Sequence, residues 1–285
     1  VLQSTIQVKN LINKAIEYQM PAVAFSDNGN MMAAFQFVEN AAKHNDQIDQ
    51  QIKALEEDKV SEIEQLEKKK LLPIVGCEFH VCNDRLEKSY KDNGSQVPFL
   101  AKNKNGYQNL IKLSSLGFVE GFYYVPRIDK DLILDYKDDL IVTSGGIYGE
   151  IPQLILNEGE ASAEKSLLWW KDNFKDDFYI ELTRHGLEEE DKVNEVLLRL
   201  AEKHNIKYFA ANNTYYLNKE DADAHDVLLC IKDGERKSTP KGRGRGFRFG
   251  FSNNEYYFKS QNEMKALFAD CLLYTSPSPR DFEAS

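Results

Sequence analysis

The stretch Pro21-Ala-Val-Ala-Phe-Ser-Asp-Asn-Gly-Asn30 decides the fold. Its apolar run, bounded by proline and glycine, reads as a buried strand over 22–26. The strand ends in an acidic residue, an amide and a tight glycine turn, and a helical pattern follows from about Met31 to Lys43. In a parallel α/β protein the carboxyl ends of strands are where ligands and catalytic groups converge. The arrangement recurs at Pro73-Ile-Val-Gly-Cys-Glu-Phe79 and at Phe178-Tyr-Ile-Glu-Leu-Thr-Arg-His-Gly186. Three strands thus deliver Asp27, Glu78 and His185, residue types that suit part of a metal-dependent hydrolase site.

Further strands are expected at 97–101, 140–144 and 207–211, making six. Helical spacing appears at about 7–19, 106–116, 148–157, 161–173, 188–204, 221–231 and 261–269. Ser4 or Thr5 is the expected N-cap of the first helix. Strands alternating with helices predict an α/β fold with a parallel sheet. His44 to Lys70 is dense in Gln, Glu, Asp and Lys, with a thin apolar stripe (Ile52, Leu55, Val60, Ile63, Leu66). That composition predicts a solvated helical insertion on the body. Trp169 and Trp170 sit in an amphipathic pattern that places at least one of them in the core.

At 285 residues and 42% hydrophobic, the chain can bury a core of one large or two small domains. A formal charge of −10 argues against broad electrostatic capture of nucleic acid. The one basic island runs from Arg236 to Arg248. Its Gly242–Gly250 portion lacks the Lys-Ser/Thr of a phosphate-binding P-loop. Arg243 and Arg245 are candidates for a phosphate or an interdomain contact. The four cysteines show neither CxxC spacing nor the density of a secreted scaffold, which points to reduced thiols in the cytoplasm. No apolar run is long enough to cross a bilayer.

Several short motifs, in order, carry a family resemblance. They are Asp27-Asn-Gly-Asn30, Ile74-Val-Gly-Cys-Glu-Phe79, Leu100-Ala-Lys-Asn103 with Gly106-Tyr-Gln-Asn-Leu110, and Gly121-Phe-Tyr-Tyr-Val-Pro-Arg127. Ala224-His-Asp-Val-Leu-Leu-Cys-Ile-Lys-Asp-Gly234 and Tyr256-Tyr-Phe-Lys-Ser260 extend the match. Together they resemble the polymerase-and-histidinol-phosphatase (PHP) domain, and more narrowly that of bacterial DNA polymerase III alpha subunits. The resemblance implies a distorted seven-stranded (β/α) barrel with metal ions at the strand carboxyl ends. It also implies that the first strand, with a His-x-His motif, is missing from this sequence. Residues 1–235 are expected to form the PHP domain, with an insertion at about 44–70. Residues 236–270 are expected to lead towards a polymerase palm, and 271–285 resemble a non-native tail.

Mapped position by position, the resemblance retains Asp27, Glu78 and His185 as ligand types. It places Asn28, Gln96, Asn213 and Tyr215 where active members carry ionisable ligands. An amide oxygen is a weak neutral ligand and a phenol does not ionise without strong help. The expectation is a degenerate site without catalytic residues, closed by mutual hydrogen bonds of Asn28, Asn213 and Tyr215. Simpler readings stand beside this one. Asp27 suits an Asx turn or cap, Glu78 and Glu181 suit strand-end carboxylates paired with Arg184 or a lysine, and His185 suits a hydrogen-bonded loop residue.

Two functional expectations follow from the resemblance. In the first, the chain is the amino-terminal PHP module of a replicative DNA polymerase, a scaffold without its own cofactor, while magnesium serves the parent's palm. Its partners are then the remaining polymerase domains, the proofreading exonuclease subunit, other replisome subunits and, through the parent, DNA, with no membrane. In the second, it is a metal-dependent phosphoesterase or a 3′–5′ proofreading exonuclease of the PHP family.

Overall fold

Strand β2 (Leu72–Val81) is the spine of the molecule. Its alternation sends Cys77, Phe79 and Val81 into the main apolar core and leaves Gly76, Glu78 and His80 on the opposite face. The computed structural model describes residues 3–56, 58–242 and 244–270. On one side β2 pairs in parallel with β1 (Ala22–Asn28), with Asp27 opposite Cys77 and Asn28 opposite Glu78. On the other it pairs antiparallel with β3 (Ser95–Ala101). The two-residue β4 (Arg127–Ile128) extends β2 beyond β1, in parallel at His80 and Val81. The path continues from β3 to β5 (Leu140–Thr143), antiparallel, then to β6 (Phe178–Thr183) and β7 (Tyr208–Ala211), both parallel.

The sheet is therefore mixed, not the parallel sheet that strand–helix alternation predicts. The physical reason lies between β2 and β3, where residues 82–94 form no helix, so the chain returns beside β2 in the opposite sense. All six expected strands are present; the seventh, β4, is too short to leave a periodic signal.

Helices cover one face of the sheet. They are α4 (Lys104–Val119), α5 (Lys130–Tyr136), α6 (Glu150–Asn157), α7 (Glu160–Phe174) and α8 (Glu188–His204). Leu110, Leu113, Ile133, Leu167, Trp170, Leu197 and Leu200 from these helices meet Phe79, Phe99, Val142 and Ile180 from the strands. Helix α5 was not anticipated; it starts where the Asp129 carboxylate accepts the Leu132 N–H. A second, smaller core joins α1 (Val8–Glu17), α2 (Ala34–Lys53) and β1 through Ile12, Ala15, Val23, Phe37 and Ala41.

Two further expectations are corrected. Helix α2 does not stop at Lys43 but runs on through the polar segment, because Ile48 is buried and Asn45 clamps the Leu71 backbone at 2.9 and 3.0 Å. The polar segment is thus α2 extended, a turn, and α3 (Val60–Glu67). Ser4 and Thr5 do not cap α1, whose N-cap is Gln7 without a side-chain bond; they bind the Tyr215 carbonyl instead.

Residues after α9 (Ala222–Asp233) fold back onto the same body. Phe268, after α10 (Gln261–Leu267), is fully buried in the main core, and Asn253 donates to the His185 carbonyl at 2.6 Å. The tail 271–285 lies outside the described residues.

Candidate functional site

The sheet's inner face is polar because alternation puts Glu78 and His80 of β2, Gln96 of β3, Thr143 of β5 and Glu181 of β6 on it. The sheet curls enough for Glu78 and Glu181, three strand spacings apart along the path, to repel each other. Burial first, and then the Glu181 charge, push Glu78 up to about 7. Burial also raises Glu181, against the opposing effect of a 2.5 Å hydrogen bond from the Thr143 hydroxyl. The Glu181 N–H is received by the Ser144 hydroxyl at 2.9 Å.

Asn28 stands beside Glu78 and donates to its Oε1 at 3.1 Å, while its own Oδ1 receives His80 Nε2 at 2.9 Å. That geometry puts the ring hydrogen of His80 on Nε2 and leaves Nδ1 buried without a partner among the described residues. Arg184, considered above as a partner for these carboxylates, forks onto Asp270 at 2.5 and 3.1 Å and donates to the Leu267 carbonyl.

Asp27 does not join this group. Register places it beside Cys77, on the helix-facing side of β1, while its neighbour Asn28 faces Glu78. Burial raises its pKa, and a bond from the Ala33 backbone at the start of α2 counteracts this. Gly29, at φ +68°, turns the chain here, and a β-carbon on it would lie 2.8 Å from Pro126.

His185 is buried at the end of β6 and fully committed. Nδ1 meets Glu190 Oε1 at 2.6 Å, the His185 backbone N–H meets Oε2 at 2.5 Å, and Nε2 accepts the Asn213 N–H at 3.2 Å. The ring lies flat on Tyr256, centroids 4.4 Å apart. Burial opposes the charge of Glu190, yet the bonds from His185 outweigh it and hold that carboxyl below its usual range. Glu190 escaped sequence reasoning. Its signal was the five-residue step from His185 across a glycine turn into the first turn of α8.

The remaining positions are spread out. Tyr215 receives the N-terminal segment at its carbonyl and packs its ring on Phe251, centroids 5.0 Å apart; burial and then Glu78 raise its phenol. Gln96 pairs across the ladder with His80 and lines a cavity of ≈ 570 Å³ with Tyr148 and Glu150. The expected mutual bonding of Asn28, Asn213 and Tyr215 is replaced by separate partners: Glu78 and His80 for the Asn28 side chain, His185 for the Asn213 backbone. Arg245 is exposed on the loop after α9, and Arg243 lies outside the described residues.

This donor set does not fit a metal cluster. The one imidazole at a retained ligand position has its lone pair engaged, Asp27 faces away, and the neighbours of Glu78 are an amide and a second carboxylic acid. Among the described residues, no three His, Cys, Asp or Glu side chains are placed to hold a metal ion. No helix among them is long and apolar enough to cross a membrane.

Comparison with known proteins agrees with the fold. DNA polymerase III subunit alpha of Borreliella burgdorferi is 36% identical over 274 residues, covering 95% of this chain and 21% of the relative. The subunits of the same name from Chlamydia trachomatis and Thermus aquaticus are 33% and 34% identical, over 94% and 88% of this chain and 22% and 18% of the relatives. The chain therefore spans about a fifth of the length of the curated relatives it matches. Residues 1–185 match the PHP domain, and the chain belongs to that family.

Proposed function

We propose that this chain is the amino-terminal PHP module of a DNA polymerase III alpha subunit, and that its former metal pocket serves as architecture. The observation that carries the reading is the occupied Nε2 of His185: the atom that would bind a cation holds the Asn213 backbone instead. The relatives named above support the assignment to a replicative polymerase. Nucleotide transfer, with its magnesium ions, then belongs to parts of the polymerase outside the aligned fifth. The remaining polymerase domains, the proofreading exonuclease subunit and other replisome subunits are the proposed partners, and the cytoplasm is the proposed compartment.

The test uses the intact gene product. Manganese titration followed by calorimetry, and release of nitrophenol from p-nitrophenyl phosphate, are measured for the wild type and for Glu78→Gln. We expect hydrolysis that is negligible and unchanged by the substitution. Manganese-dependent turnover lost in Glu78→Gln would instead make the chain a phosphoesterase.

A further inference from the structure

The loop between α9 and α10 contains no carboxylate from Arg236 to Asn254, in a chain whose net charge is −10. One of its arginines is structural. Arg248, 5% exposed, makes two 2.8 Å bonds to the Asp226 carboxylate on α9. Its guanidinium also binds the carbonyls of Thr239, Lys237 and Phe249, and its backbone closes the loop on Pro240 and Gly242 at 3.0 Å. Bidentate pairing of this kind is strong and directional. Gly244 and Gly246, at φ +91° and +89° with open space around them, supply backbone conformations that other residues resist. The ring of Phe247 lies so close over Gly242 that a β-carbon there would come within 2.5 Å of it. The loop is thus a built platform.

What the platform displays is the informative part. With Arg248 pointing inward, its neighbours Phe247 and Phe249 point outward, 50% and 49% exposed. Lys237 and Lys241 are paired with Asp223 and Asp226, but Arg236 and Arg245 are exposed with no ion pair among the described residues. An acidic protein surface would satisfy the arginines and leave the rings wet. An apolar surface would cover the rings and strip water from the guanidinium groups. A nucleic-acid strand with unstacked bases meets both needs, offering phosphates to arginine forks and π-faces to phenylalanine. Duplex DNA offers the phosphates but keeps its base faces stacked.

We propose that this loop is a contact site for single-stranded nucleic acid, in which Arg236 and Arg245 take backbone phosphates and Phe247 and Phe249 stack on bases. The inference does not depend on the polymerase reading. The test uses the intact gene product and an oligo(dT) strand carrying 5-iodouracil. Photo-crosslinking and peptide mapping should place an adduct on Phe247 or Phe249. Fluorescence anisotropy across a sodium chloride series should then separate the two contributions. R236E/R245E should weaken binding about tenfold and lower the salt slope by about 1.4, as expected for two single-strand phosphates. F247A/F249A should weaken binding at least about tenfold with the slope unchanged. Arg236 and Arg245 are exposed, and the thermal melt of R236E/R245E should match the wild type. F247A/F249A loses ring contacts with Gly242 and Phe251, so its binding is measured well below its own melting temperature. Adducts confined to other segments, with both variants binding as the wild type does, overturn the proposal. So does a result in which R236E/R245E disrupts a protein–protein association and leaves strand binding intact.

Discussion

Strand β6 carries two buried acidic environments with opposite solutions. On the strand itself, Glu181 lies close enough for its charge to act on Glu78, and both carboxyls are driven up by burial. Just past its end, Glu190 is as deeply buried but takes two short hydrogen bonds from His185, and its pKa is driven down. Burial is common to both sites and each carboxyl accepts a hydrogen bond, so the difference lies in number and strength: two short bonds from His185 to Glu190, against one each from Asn28 and Thr143 to a mutually repelling pair. The inner face thus holds a closed hydrogen-bonded corner and, beside it, a pair of acids that burial and mutual repulsion keep raised.

The sharpest way to break this contrast is to remove the donor-rich acid. Glu190→Ala leaves a buried imidazole N–H and a buried backbone N–H without acceptors, and should cost about 3 kcal/mol in urea denaturation at pH 7. Glu190→Gln keeps one acceptor and should cost less. A loss under about 1 kcal/mol for Glu190→Ala would mean that the corner is not what orders the end of β6.

That corner also marks the limit of what the sequence made legible. The strands that carry Asp27, Glu78 and Glu181 were readable because apolar runs between turn residues are local signals. The face that each side chain takes was not. Asp27 and Asn28 are adjacent in sequence, yet register sends one towards α2 and the other towards Glu78. Whether β3 runs parallel or antiparallel depends on a 13-residue connection without periodicity, so the mixed sheet was invisible as well. Arg248 read as one of several loop cations; only the tertiary approach of Asp226 separates it from the outward-facing Arg245.

The acidic pair predicts a pH dependence of definite sign. Glu78 titrates near 7 when folded and near 4.5 as a free side chain. Between these values the folded state holds the extra proton, so the contribution of Glu78 to stability is fullest below about pH 4.5 and falls as pH rises to 7. The shift corresponds to roughly 3 kcal/mol lost above pH 7. Glu78→Gln removes this titration. It should therefore stabilise the protein by about 1–3 kcal/mol at pH 8 and change little at pH 5. A difference that stays constant across this range would show that Glu78 is not desolvated beside Glu181.

The smallest effect tests the donor on the other carboxylate. Thr143→Val keeps the side-chain shape and deletes the hydroxyl that donates to Glu181 Oε1. The folded pKa of Glu181 then rises further, so the variant should lose about 1 kcal/mol where Glu181 is ionised and less towards acid pH, where it is protonated. Repulsion between Glu78 and Glu181 is mutual, so their titrations are linked. In a Glu78→Gln background Glu181 ionises at lower pH, and the cost of Thr143→Val should begin at lower pH as well. Denaturation midpoints of the two single variants and the double variant, measured from pH 5 to 8, read that displacement directly. If the onset does not move, β2 and β6 do not bring their carboxylates into mutual range, and the curl of the sheet is shallower than the electrostatics of its inner face require.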